Sequence, residues 1–207
     1  MNRKRLPAAT LICFALTLVA LLHRANADAT DEIKRLGFLM DWRPGTIVAD
    51  IGAGDGRYAF AAAQLVGPSG KVFATEIDEE KLAALKSEVT KRRLTSVTII
   101  ASKEADTNLP AECCDAIFLR RVYHHLTKPA EFDAALVRSL KSAGRLAIIE
   151  FPPRSGLEPV DGVPANRGGH GIPQKVAIEE LTSAGLQLLK AVNDWPADDY
   201  CILFVKK

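Results

Sequence analysis

The sequence predicts an α/β fold, in which a seven-stranded, mostly parallel sheet carries helices on both faces and closes with a C-terminal antiparallel hairpin. Three observations predict it. From residue 46 onward, short apolar runs rich in β-branched residues alternate with stretches of helical periodicity. The first run ends in Gly52-Ala53-Gly54-Asp55-Gly56 and a helical pattern follows at once. The last two runs, 186–192 and 200–205, are joined by a loop through Asp194-Trp195-Pro196, too short for a helical crossover, so they read as a hairpin.

Each element has its own signal. Ile33, Leu36, Leu39 and Met40 recur at helical spacing over 31–40, and Trp42-Arg43-Pro44-Gly45 stops that helix. A strand is predicted over 46–51, a helix over 58–66, a second strand over 71–76, and a helix capped by Asp78 running to about residue 93. Strands over 97–101, 116–119 and 145–150 follow, with a helix over 129–140 before the last of them. Residues 151–174 are rich in Pro and Gly and lack periodicity, which predicts a lid over the site. A helix over 175–184, ended by Gly185, precedes the hairpin.

With 207 residues, 48% of them apolar, the chain has material for one globular domain and its core. A net charge of +2, and no basic block interleaved with aromatics beyond the N-terminus, argue against a nucleic-acid groove. Residues 1–27 read as a signal peptide: Arg3, Lys4 and Arg5 precede an uncharged apolar run over 6–22, and Ala25-Asn26-Ala27 has the small residues a signal peptidase reads. The run is shorter than a comfortable membrane span, so an exported domain over 28–207 with no stable membrane span is predicted, an uncleaved signal anchor being the alternative. Cys113, Cys114 and Cys201 remain after cleavage, an odd number without metal-site spacing, so free thiols and no metal are predicted.

The chemistry concentrates at the ends of the first two strands. Glycines at 52, 54 and 56 let bare backbone approach a ligand at the carboxyl edge of a parallel sheet. Glu76, about 20 residues further on at the end of the next strand, suits a ribose diol. The spacing is G-x-G-x-G after an acid, where a dinucleotide fingerprint wants G-x-G-x-x-G and a phosphate loop wants G-K-[ST]. Asp50 at the base of the loop fits a cofactor bearing an ammonium group. Tyr123-His124-His125 follows the fourth strand, and a histidine there can take a proton from an attacking oxygen or nitrogen.

Residues 48–56, then Glu76-Ile77-Asp78, Leu109-Pro110 with Cys114-Asp115-Ala116-Ile117, and Lys141-Ser142-Ala143-Gly144-Arg145-Leu146 resemble the successive motifs of class I S-adenosylmethionine-dependent methyltransferases. The resemblance covers about 31–207 and implies a Rossmann-like fold with S-adenosyl-L-methionine as cofactor. It implies that Asp50, Gly52, Gly54 and Gly56 hold the methionine part, that Glu76 holds the ribose hydroxyls and that Ile77 packs on the adenine. Lys103 stands where the family often has an acid, with Glu104 or Asp106 as candidates for the adenine amine. The backbone at Arg120 is expected near the methionine end, or Arg120-Arg121 faces an anionic substrate. Tyr123, His124 and His125 are the candidate catalytic residues, and a small-molecule acceptor is expected. The alternatives are a protein methyltransferase of isoaspartyl type, suggested by residues 65–72 before Glu76-Ile77-Asp78, and a non-catalytic exported module that binds a nucleoside-like ligand.

Overall fold

The computed structural model describes residues 28–207, so the predicted signal peptide lies outside the described residues. Helix α1 covers 28–39. Strand β1 (Ile47–Ile51), helix α2 (Arg57–Val66), strand β2 (Lys71–Glu76), helix α3 (Glu79–Arg92) and strand β3 (Val97–Ala101) follow as two crossover units. Strand β4 (Cys114–Arg120), helix α4 (Pro129–Ser139), strand β5 (Leu140–Glu150), helix α5 (Gln174–Ser183), strand β6 (Leu186–Val192) and strand β7 (Tyr200–Lys206) complete the domain.

The seven strands pair in the order β3-β2-β1-β4-β5-β7-β6. All pairs are parallel except β5 with β7 and β6 with β7. The predicted sheet and hairpin are therefore present, with β7 inserted between β5 and β6. From β1 the chain winds outward through β2 to β3 and then returns to β4, which pairs with β1 on its other side. The strand order reverses between β1 and β4, where open α/β sheets leave a crevice at their carboxyl ends.

Period-two alternation divides the core between the two faces. Val48, Val72, Ala116, Phe118, Ala147 and Leu203 pack with α1, α2 and Leu85 of α3. Ala49, Phe73, Ile117, Leu119, Ile148 and Phe204 pack with α4 and α5. Phe118 and Leu119, adjacent on β4, are both fully buried on opposite faces, and burial of such a side chain contributes about 1.5–3 kcal/mol. A strand enclosed on both sides reads as a continuous apolar run, which is why β4 carries no alternation in the sequence.

Two segments differ from expectation. Strand β5 begins at Leu140, directly after α4, because Leu140 pairs with Cys114 before a register shift carries Arg145 opposite Ala116, with Ala143 at φ 59° in the irregular turn. The segment predicted as a lid is instead pinned from beneath. Arg167, 1% exposed, ion-pairs with Glu180 of α5 at 2.9 Å and donates to the carbonyls of Leu126 and Tyr123 at 2.9 and 3.0 Å. A buried guanidinium with all these partners ties the strap to the 3-10 turn Tyr123–His125.

Cys114 and Cys201 are buried free thiols and Cys113 is a partly buried one. Among the described residues no group of three or more His, Cys, Asp or Glu side chains is placed to hold a metal, and no helix is long and apolar enough to cross a membrane.

Candidate functional site

The crevice is built on the turn after β1. Gly52 and Gly54 take φ of 69° and 58°, the left-handed region where a Cβ is strained, and a side chain on Gly52 would meet Val122 at 2.6 Å. The loop is held open by Glu76 at the end of β2. Its Oε2 accepts the Gly54 backbone N–H at 2.9 Å, and its Oε1 accepts those of Ile77 and Asp78 at 2.9 and 3.2 Å. A carboxylate offers about four acceptor positions, so three main-chain donors fix its orientation and leave capacity for a ligand hydroxyl.

A cleft of about 540 Å³ lies against this pair, lined by Gly52, Gly54, Glu76, Ile77, Glu104 and His125, among others. Ile77 stands at its wall with 57% of its surface exposed, as a platform for a flat ring does. Across the cleft Glu104 accepts from Thr127 Oγ1 at 2.6 Å and from Lys128 Nζ at 2.9 Å, which joins the loop after β3 to the one before α4. Lys103 also lines the cleft, and its backbone pairs with Asp106. Asp106 turns outward to Asn108 and Arg138, so of the two acids proposed for the adenine amine only Glu104 faces the cleft.

A second hollow of about 880 Å³ continues from the first, sharing Gly52, Gly54 and Arg120, and is walled by α1, Tyr58 and the loop at Pro196-Ala197. Its hub is Glu32, 7% exposed. Glu32 binds Arg120 in a bidentate pair at 2.8 and 2.9 Å and accepts from Tyr58 Oη and Trp195 Nε1, each at 3.1 Å. The Arg120 guanidinium also lies 4.7 Å from the Tyr58 ring centroid. Arg121 is likewise engaged, paired with buried Asp199 at 2.8 Å. Both arginines expected to face an anionic substrate are thus already neutralised by partners within the chain.

Beneath the loop Asp50 is 3% exposed, and its Oδ2 has no hydrogen-bond partner among the described residues. Burial pushes its carboxyl up to about 8, opposed by the Ala59 backbone N–H and reinforced by the charges of Glu76 and Asp55. An orphaned acid of this kind fits a ligand whose positive group would restore the carboxylate. Asp50 lies beneath the loop and lines neither hollow.

Gly56 and Tyr123, both expected at the site, line neither hollow. Gly56, at φ 81°, is buried; a Cβ there would lie 2.5 Å from Phe60 and 2.7 Å from Leu85, so this glycine serves the turn into α2 and touches no cleft. Tyr123 is fully buried, donates to Asp133 Oδ2 at 2.9 Å and lies under Arg167, away from both hollows. His125 lines the cleft, whereas His124 sits behind it, 2% exposed, with its ring centroid 4.0 Å from that of His125. Burial, then the neighbouring His124 and His170, lower the His125 pKa to about 4, so it is neutral at pH 7.

Sequence reasoning missed Glu32, Tyr58, Trp195, Thr127 and Glu150. Glu32 alone left a trace: it precedes Ile33 and lies four residues before Leu36, an acid on the apolar stripe of its helix. The others are joined to the site by contacts across 23 to 163 positions of chain.

The fold and the crevice define a Rossmann-like α/β domain with an open cleft at its switch point. Residues 49–148, from β1 into β5, match the family model described as a methyltransferase domain. Over 84% of this chain and 89% of the other, the fold matches that of a SAM-dependent methyltransferase from Aquifex aeolicus, with a TM-score of 0.71 and 25% identity. Among curated relatives, the chain is 37% identical over 123 residues to nocamycin O-methyltransferase of Saccharothrix syringae, covering 59% of this chain and 44% of that protein. It is 32% identical over 109 residues to a ubiquinone/menaquinone biosynthesis C-methyltransferase of Bordetella parapertussis, covering 53% and 42%. The chain thus spans less than half the length of these two relatives.

Proposed function

We propose that the protein is a methyltransferase that uses S-adenosyl-L-methionine to methylate a small-molecule acceptor, and that it acts after export and cleavage near Ala27. The observation that carries the cofactor reading is the Glu76 carboxylate fixed against the Gly54 N–H at 2.9 Å beside an open cleft. Glu76 would accept the ribose hydroxyls, Ile77 would flank the adenine, and Gly52, Gly54 and the Arg120 end of β4 would pass the methionine part toward the larger hollow. When bound, the cofactor supplies a methyl group already activated on a sulfonium. The residues of the chain hold the reactants in line and exclude water, the part of catalysis that comes from orientation. Two hollows joined at Gly52, Gly54 and Arg120 support this division into a donor side and an acceptor side. The relatives named for O- and C-methyl transfer support a small acceptor over a protein one. Export rests on the basic start, the apolar run over 6–22 and the small residues before position 28.

Titration calorimetry with S-adenosyl-L-methionine tests the cofactor reading. Binding to the wild type, weakened at least about tenfold in Glu76→Ala, is expected, the size of one lost pair of good hydrogen bonds. Equal affinity in both proteins would remove Glu76 from the site.

A further inference from the structure

Two thiols touch at the edge of the sheet opposite the cleft. Cys113 immediately precedes β4 and Cys114 begins it, whereas the cleft is lined by Arg120 at the other end of the same strand. Consecutive side chains of a strand point to opposite faces, so adjacent cysteines within a strand stand apart. Here the chain turns first. Glu112 takes φ 49°, in the left-handed region, and Cys113 enters β4 from that turn. The Glu112 N–H donates to the Arg138 carbonyl at 2.9 Å and the Cys113 N–H to that of Ser139 at 3.0 Å, which holds the turn in place. The two Sγ atoms are left 3.0 Å apart, both packed into the core on the α4 and α5 face.

The two thiols are unequal. Cys113 is partly exposed and Cys114 is fully buried. The Cys114 thiol donates to Cys113 and holds the Cys113 pKa below the ordinary range, outweighing burial, with the charges of Lys141 and Lys71 acting in the same direction. The same bond, with burial, pushes the Cys114 thiol up. The sulfur that reaches solvent is thus the one whose thiolate is favoured. Cys201 has neither property: it is buried in β7 on the other face of the sheet, and burial pushes its thiol up to about 12.

We propose that Cys113 and Cys114 form a redox-active dithiol, a modification site at which Cys113 attacks an external disulfide and Cys114 resolves the adduct into a vicinal disulfide. In the first step the Cys113 thiolate bonds to one sulfur of the oxidant. The oxidant's S–S bond breaks, and its second half leaves as a thiolate with the electron pair. In the second, Cys114 bonds to the Cys113 sulfur, the mixed disulfide breaks, and the departing thiolate takes up the Cys114 proton. Two protein thiols are oxidised and one external disulfide is reduced to two thiols. The buried Cys114 needs no access to solvent, because the only atom it must reach is the Cys113 sulfur. Cα atoms of neighbouring residues are about 3.8 Å apart, below the roughly 4.4–6.8 Å usual for a disulfide. The closed ring is strained and readily reduced, so the site cycles instead of locking.

The test is incubation of the reduced full-length protein with glutathione disulfide. Remaining thiols are then alkylated under denaturing conditions and located by peptide mass spectrometry, which separates residues 113 and 114 from Cys13 and Cys201. The peptide with Cys113 and Cys114 is expected to escape alkylation at both positions, to lack two hydrogens and carry no glutathione, and to recover both thiols in dithiothreitol. Its thiols should disappear at least about tenfold faster than that of Cys201. Cys114→Ser is expected to stop at a stable glutathione adduct on Cys113, and Cys113→Ser to leave Cys114 a thiol. Wild-type protein that keeps both thiols, or that accumulates the adduct without closing the ring, would overturn the proposal. Glutathione on Cys114 in Cys113→Ser would overturn it equally.

Discussion

Glu32 of α1 grips Arg120 at the end of β4 through two charge-assisted hydrogen bonds of 2.8 and 2.9 Å, and so fastens the first helix over the crevice. The contact spans 88 residues of sequence. It also joins Tyr58 of α2 and Trp195 of the β6–β7 loop to one carboxylate. Glu32 is the joint on which the larger hollow is assembled.

Removing one partner of such a pair leaves the other charge buried without compensation. Glu32→Ala is expected to lower unfolding stability by about 3–5 kcal/mol, measured by urea denaturation at pH 7. Burial pushes the Glu32 carboxyl up, but the bonds and charge of Arg120, with Trp195 and Tyr58, outweigh it and hold its pKa below the ordinary range. A depressed folded pKa stabilises above the unfolded value and is lost as pH falls through the folded one. The difference between wild type and Glu32→Ala should therefore shrink in acid, and a difference that stays constant down to about pH 3 would contradict the ion pair.

Two glycines of one loop should respond in opposite ways. Gly56→Ala places a Cβ 2.5 Å from Phe60 at φ 81°, so a loss of about 2–5 kcal/mol in stability is expected from backbone strain and overpacking together. Gly54→Ala meets nothing within 4 Å at φ 58°, which limits the loss to about 1–2 kcal/mol. Its methyl would occupy space in the cleft that Gly54 lines, however, and cofactor affinity should fall at least about tenfold. Thermal melts and calorimetry on the pair check this, and a Gly56→Ala protein as stable as wild type would refute the packing role.

Asp50 makes the free protein sensitive to pH in the other direction. With its folded pKa raised to about 8, Asp50 keeps a proton that the unfolded chain releases near pH 4. Its contribution to stability falls as pH rises across that window, by at most about 1.4 kcal/mol per pH unit, and levels off above it. Asp50→Asn should flatten this slope between pH 5 and pH 8 in thermal melts. A ligand carrying an ammonium group should discharge the Asp50 proton on binding, which calorimetry in buffers of different ionisation enthalpy detects. An unchanged slope in Asp50→Asn would show that the carboxyl is already ionised in the free protein.

The order of elements and the meeting of the glycine turn with Glu76 were legible because their signals are local. A buried parallel strand, a glycine turn and an acid at the end of the next strand occupy 30 consecutive positions, 47–76, and local geometry carries Gly52, Gly54 and Glu76 to one edge. The beginning of β5 was not legible, because Leu140 becomes a strand residue only by pairing with Cys114 across a register shift. Gly56 looked like a third ligand-facing glycine, since composition does not say whether a missing Cβ makes room for a ligand or for Phe60.

The sequence by itself determined that a glycine turn and a carboxylate would meet at the switch point of a parallel sheet, because strand period and crossover handedness leave the chain no other arrangement. Only the tertiary structure decided which polar side chains face the cleft and which are spent on one another. Arg120 meets Glu32, Arg121 meets Asp199, Arg167 meets Glu180 and His124 meets Glu150, each pair brought together from separate elements. A buried charge must find a partner, and the partner is chosen by proximity in the fold rather than by distance along the chain.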